Sequence, residues 1–162
     1  MNIYTAGHST ATLAQFIDLL KRNDIDVIVD VRSKPRSRLA HFDQAPLQDA
    51  VEAAGMAYRF AGDRLGGVPR DPRVQARWKQ GRLDPVIIAH LRTTDEWTDG
   101  IAEVARLARA RNVCLVCSEA DPAECHRTAV ALDAAEGIGA TVTHLRVSGA
   151  ASGEVGVQEV MM

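Results

Sequence analysis

Two short runs constrain this chain more than any other feature: Asp26–Val31 (DVIVDV) and Asn112–Cys117 (NVCLVC). Within them, Val27–Val29 and Val113–Val116 are apolar and rich in valine. Such runs mark strands buried on both faces, as found where helices cover both sides of a parallel sheet. The stretches around them keep a helical period. Leu13, Phe16, Ile17 and Leu20 make one apolar face behind a capping box of Thr12 and Gln15. Leu47, Ala50, Val51 and Ala54 make another, opened by Asp43 and stopped by Gly55. Asp71-Pro72, Asp84-Pro85 and Asp121-Pro122 read as helix starts, with Asp at the cap and proline in the first turn. Thr94 or Asp95 opens a longer helix through Trp97, Ile101, Val104 and Ala108.

Asn2–Thr5, Met56–Phe60 and Ala140–Leu145 supply further strands. Strands alternating with helices imply right-handed crossovers. The expectation is a single three-layer α/β domain over 1–147, Rossmann-like, with a mainly parallel sheet of about five strands. Arg32–His41 and Asp63–Pro72 read as loops, and residues 62–92 as a loop and helix insertion placed to cover one end of the sheet. The remaining 148–162 is rich in Gly, Ser and Ala, and a flexible C-terminal tail is expected there.

Composition excludes little but directs attention. Aromatics make up 4% of the residues, which leaves little for a broad base-stacking platform. The net charge of −2 argues against a general polyanion binder, yet it is unevenly spread. Between Arg32 and Arg82 there are 11 Lys and Arg against 5 Asp and Glu, and elsewhere 8 against 16. Three cysteines, an odd number, with no secretion signal point to a reducing, cytoplasmic setting. No run is long and apolar enough for a membrane span.

In open α/β sheets, ligands bind beyond the carboxyl ends of the strands, where strand order reverses. The polar residues of this chain gather at those places. His8 and Ser9 follow the first strand, Asp30 and Arg32 end the second, and Cys117 and Glu119 end the penultimate one. If the first strand is internal, these loops converge. Here the sequence resembles the family called domain of unknown function 488. The matching pieces are Thr5-x-Gly7-His8-Ser9, then Asp30-Val31-Arg32 with Pro35 and Ser37. Leu65-Gly66-Gly67 follows, and then Cys117-x-Glu119-x-Asp121-Pro122-x-x-Cys125-His126-Arg127. The resemblance implies a compact α/β fold and a shared pocket, and carries over no established activity.

Each candidate has two readings. Cys117 is a thiolate nucleophile or a packed small hydrophobe. Cys125 reads as packing, on a face with Ala129 and Leu132, and Cys114 as structural. Asp30 orients His8 as a base or pins loops through an ion pair with Arg32. Glu119 is a general base or a loop hydrogen-bonding group. Arg32, Ser9, His126 and Arg127 suit an anion at a helix start. Gly66 and Gly67 read as a hinge or a close-approach point for that ligand. No metal is expected, because Cys125 and His126 would project about 100° apart on one helix. The cofactor is left unknown by the sequence. His41, His90 and His144 read as surface or packing residues.

Three functions stay open. The first is an enzyme acting on a phosphate-bearing substrate, a nucleotide or nucleic acid, with His8, Asp30, Cys117 and Glu119 as the chemical groups. The second is rhodanese-like sulfur transfer or thiol redox chemistry at Cys117. The rhodanese likeness breaks down after the cysteine, where Arg127 lies ten residues on and Pro122 intervenes. The third is a non-catalytic module that binds nucleic acid or a small anion.

Overall fold

The structure is a computed structural model that describes residues 1–148 and 154–160, with Ser148 and the last segment described by backbone alone. The chain runs β1 (Asn2–Gly7), α1 (Leu13–Arg22), β2 (Val27–Asp30), α2 (Gln44–Ala53) and β3 (Ala57–Phe60). There follow α3 (Gly62–Leu65), α4 (Pro72–Gln75), α5 (Pro85–Leu91), α6 (Asp95–Ala110), β4 (Val113–Cys117), α7 (Arg127–Ile138), β5 (Thr141–Ser148) and β6 (Glu154–Val160). Single 3₁₀ turns occupy Ala40–Phe42 and Pro122–Glu124.

The described strands form one sheet in the order β3-β2-β4-β1-β5-β6. β1 to β5 are parallel, the expected five-stranded core. β6 adds an antiparallel edge, with Ser148 opposite Glu154. The expected tail falls partly on 149–153 and 161–162, which lie outside the described residues, while Glu154–Val160 within it forms β6.

Side-chain alternation divides the core in two. Ile3, Val27, Val29, Val113 and Leu115 face α6 and α7, meeting Leu107, Val130 and Ala134. Ala6, Ile28, Cys114 and Val116 face α1 and α2, meeting Phe16, Leu20, Leu47 and Val51. This is the expected three-layer arrangement. From β1 the chain moves to the β2 side over the α1 face; from β4 it crosses β1 to reach β5 over the α7 face. The reversal therefore lies between β1 and β4, and their carboxyl ends open the crevice of the fold.

Local rules account for most boundaries. The Thr12 hydroxyl accepts from Gln15 N while the Gln15 side chain accepts from Thr12 N. Asp71 and Asp84 each cap their proline-started helix, and the Thr94 hydroxyl caps α6. Two expectations are corrected. The segment read as loop from Asp63 begins with a helical turn, α3, because Gly62 packs closely on the Arg32 carbonyl and Leu65 is buried against α6. Asp121-Pro122 opens only a 3₁₀ turn. Cys125 is then extended (φ −132°, ψ 136°), and α7 starts afresh at Arg127. Among the described residues no helix is long and apolar enough to cross a membrane.

Candidate functional site

The strand-end residues sort onto opposite faces of the sheet. Asp30 continues the Ile28 face, toward α1 and α2. Its carboxylate is fully buried and accepts from Arg32 Nε (2.9 Å), Arg32 Nη2 (2.8 Å) and the Tyr58 hydroxyl (2.6 Å). Arg32 Nη1 donates to the Phe42 carbonyl at 2.7 Å. Burial and the Asp30 charge hold the Tyr58 phenol protonated far above its ordinary range. The pair thus pins the loop after β2 to the turn at Phe42.

His8 lies on the same side, stacked on Phe42 at 4.2 Å. Its Nδ1 donates to the Ser9 carbonyl (3.1 Å), and its buried Nε2 meets no partner among the described residues. Burial lowers its pKa to about 4, so the ring is neutral at pH 7. Of the two readings of Asp30, the structure holds the ion pair with Arg32; no Asp30–His8 hydrogen bond forms, and both Asp30 oxygens are taken by Arg32 and Tyr58. Ser9, at φ 44°, donates its N–H to the Ser118 carbonyl and ties the β1 and β4 loops together.

Cys117 ends β4 on the other face, with Val113 and Leu115. The break before α7 lets Cys125 turn inward beside it. The two sulfurs and a ring nitrogen of His126 lie within 4.8 Å of one another. His126 Nε2 donates to the Val31 carbonyl (2.8 Å), which leaves Nδ1 toward Cys125 Sγ at 4.0 Å. The expectation that Cys125 and His126 diverge is corrected here, since it placed both in one helical turn and the helix begins one residue later. A hydrogen bond from Cys117, and then His126 and Arg127, push the Cys125 thiol well down; the same bond and burial push Cys117 well up. Burial disfavours charge on His126, but Cys125 and the Val31 carbonyl outweigh it and raise its pKa.

Arg127 does not reach the crevice surface. It is fully buried, and donates from Nη1 to the Glu119 carbonyl (2.6 Å), from Nη2 to the Ala120 carbonyl (3.2 Å) and from Nε to the Thr5 hydroxyl (3.3 Å). The anion clamp expected of it is therefore corrected: its donors point into the fold and shape the loop after β4. Thr5 Oγ1 also meets His144 Nδ1 at 2.6 Å, so His144 is a buried member of this network. Gly66 and Gly67 permit close approach within the chain. A methyl on Gly66 would run into Ser33, and one on Gly67 would lie 2.7 Å from His126 Nδ1.

The family model described as Domain of unknown function DUF488 matches residues 12–132, about three quarters of the chain. The chain belongs to this family. No curated protein and no solved structure matches it. The matched span of this DUF488 domain includes Asp30, Arg32, Gly66-Gly67 and Cys117–Arg127, while His8 and Ser9 precede it.

In this DUF488 domain a cavity of about 440 Å³ opens over the cysteine–histidine cluster. Cys117 lines it from the end of β4, Arg32 from the loop after β2, Cys125 and His126 from the break before α7, Ile87 and Ile88 from α5, and Trp78 to Leu83 from the insertion, which covers the strand ends as expected. Glu119 faces it, its carboxylate beside the Gly81 turn. Exposed Lys34, Arg36, Lys79 and Arg82 stand around it with Trp78, which is 41% exposed. These rim residues escaped the reading of individual positions. The basic excess between Arg32 and Arg82 was their signal.

Proposed function

We propose that this DUF488 domain is an enzyme acting on a phosphate-bearing substrate, a nucleotide or a nucleic-acid segment, in the crevice at the ends of β2 and β4. One observation carries the reading: an exposed indole and four exposed cations ring a cavity of ligand size. A phosphate fits Lys34, Arg36, Lys79 and Arg82, and a base fits the face of Trp78. Below them lie Cys117, Cys125, His126 and Glu119, the groups able to act on whatever is held. The free cysteines fit a reducing, cytoplasmic setting.

Tryptophan fluorescence tests binding, because Trp97 is buried and Trp78 is the exposed reporter. Titration with nucleoside mono-, di- and triphosphates and with short oligonucleotides should quench Trp78, and R36A/R82A should weaken the effect at least about tenfold. Mass spectrometry of the same mixtures reads turnover. No quenching across the panel rejects the phosphate reading. Salt-sensitive binding without turnover supports the non-catalytic module instead.

A further inference from the structure

We propose that Cys117, Cys125 and His126 are three ligands of a zinc-class metal ion whose fourth position opens into the crevice. Zinc sits about 2.3 Å from thiolate sulfur and about 2.0 Å from imidazole nitrogen, which sets tetrahedral ligand atoms roughly 3.5–3.8 Å apart. The three atoms here already lie within 4.8 Å of one another, and the Cys125 Sγ to His126 Nδ1 pair is at 4.0 Å. Small side-chain movements close that gap with the backbone in place.

Independent features converge on the same point. His126 donates Nε2–H to the Val31 carbonyl, so the nitrogen turned to the sulfurs is the one with a lone pair to give once its proton leaves. Metal-bound histidines are held in this way by a carbonyl or carboxylate on the far nitrogen. Cys125 owes its inward position to its own extended backbone, between a 3₁₀ turn and the start of α7. Gly67 lets the insertion pack on the imidazole, where a methyl would press on Nδ1.

The donor set selects the ion. Two thiolates and an imidazole favour zinc and other borderline or soft metals over magnesium or calcium. Their two negative charges balance a divalent ion. On binding, the metal replaces the thiol protons, and any proton on Nδ1, which pass to solvent. Three protein ligands with an open fourth position are the pattern of catalytic rather than structural zinc. All three residues line the cavity, so water or a substrate oxygen has access to that position. The site stands on ligand geometry and does not depend on the phosphate reading.

The test uses the full chain, reduced and stripped with a chelator, then titrated with cobalt(II) and with zinc. The expected result is one equivalent bound, tetrahedral cobalt bands in the visible and a thiolate charge-transfer band in the near ultraviolet. C125S and H126A should each weaken zinc at least about tenfold, while C114S, altered on the opposite face of the sheet, leaves it unchanged. Alkylation mapping keeps the idea falsifiable should those variants fail to fold: zinc should protect Cys117 and Cys125 of the native protein. An octahedral cobalt spectrum without the thiolate band overturns the proposal. So does undiminished zinc affinity in C125S and H126A, or a Cys117–Cys125 disulfide forming readily with zinc present.

Discussion

Both carboxylate oxygens of Asp30 face the guanidinium of Arg32, at 2.9 Å from Nε and 2.8 Å from Nη2, and the pair is almost wholly out of solvent. Removing one partner of such a pair leaves a buried charge uncompensated, at a cost of about 3–5 kcal/mol. Asp30→Asn is therefore expected to lower urea stability by about that much. Tyr58→Phe, which removes one hydrogen bond to the same carboxylate, should cost about 1–3 kcal/mol. A loss below about 1 kcal/mol for Asp30→Asn would show that the pair does not anchor the loop after β2.

What was legible followed local rules. The buried strands announced themselves as valine-rich runs, and Thr12, Gln15, Asp84 and Thr94 sit where caps were read. Spacing along a strand put Asp30 and Arg32 on one side, which they share. It could not say that this side faces Phe42, while Cys117 faces α7. That division depends on strand register and on which face each helix covers. Cys125 and His126 were misplaced by a single assumption, that the turn opened by Asp121-Pro122 runs on unbroken. Arg127 looked like a surface cation because its acceptors, the Glu119 and Ala120 carbonyls, come from the fold of its own preceding loop. β6 was hidden by composition: Val155 and Val157 alternate as in a strand, but the Gly-, Ser- and Ala-rich stretch before them made the whole segment read as a tail.

The loop after β4 crosses β1 so tightly that a methyl on Gly7 would run into the Glu119 carbonyl carbon and oxygen. The obstacle is backbone, so it cannot swing aside. Gly7→Ala is expected to cost at least about 3 kcal/mol, beyond ordinary overpacking. Gly137, inside α7, is the control: nothing lies within 4 Å of the added carbon. Gly137→Ala should raise stability by about 0.5–1 kcal/mol. Thermal unfolding of the two variants reads both signs, and equal effects would contradict the crossing.

Thr5 is the hinge of the buried polar network, accepting from Arg127 Nε and meeting His144 Nδ1. Thr5→Val keeps the shape and strands both partners. Each buried group left unsatisfied costs about 1–3 kcal/mol. Thr5→Ser retains the hydroxyl and should recover most of the loss. If Thr5→Ser destabilises as much as Thr5→Val, the methyl group and not the hydroxyl supports the network.

His144 carries the clearest dependence on pH. Burial, then the Arg127 and Arg146 charges, lower its pKa from 6.5 to about 4, against a smaller opposing pull from Cys125. The folded state therefore resists the proton that the unfolded chain accepts. Its contribution is whole above pH 6.5 and is lost as the pH falls through about 4. Burial lowers the pKa of His8 to about 4 as well, so the wild-type curve alone does not isolate it. The comparison with His144→Gln does, since glutamine also offers Thr5 an acceptor but does not titrate. Between pH 6.5 and about 4 the variant should lose stability less steeply, by up to about 1.4 kcal/mol per pH unit. Chemical unfolding of both proteins across that window gives the two slopes, and parallel slopes would mean that His144 takes its proton as readily folded as unfolded.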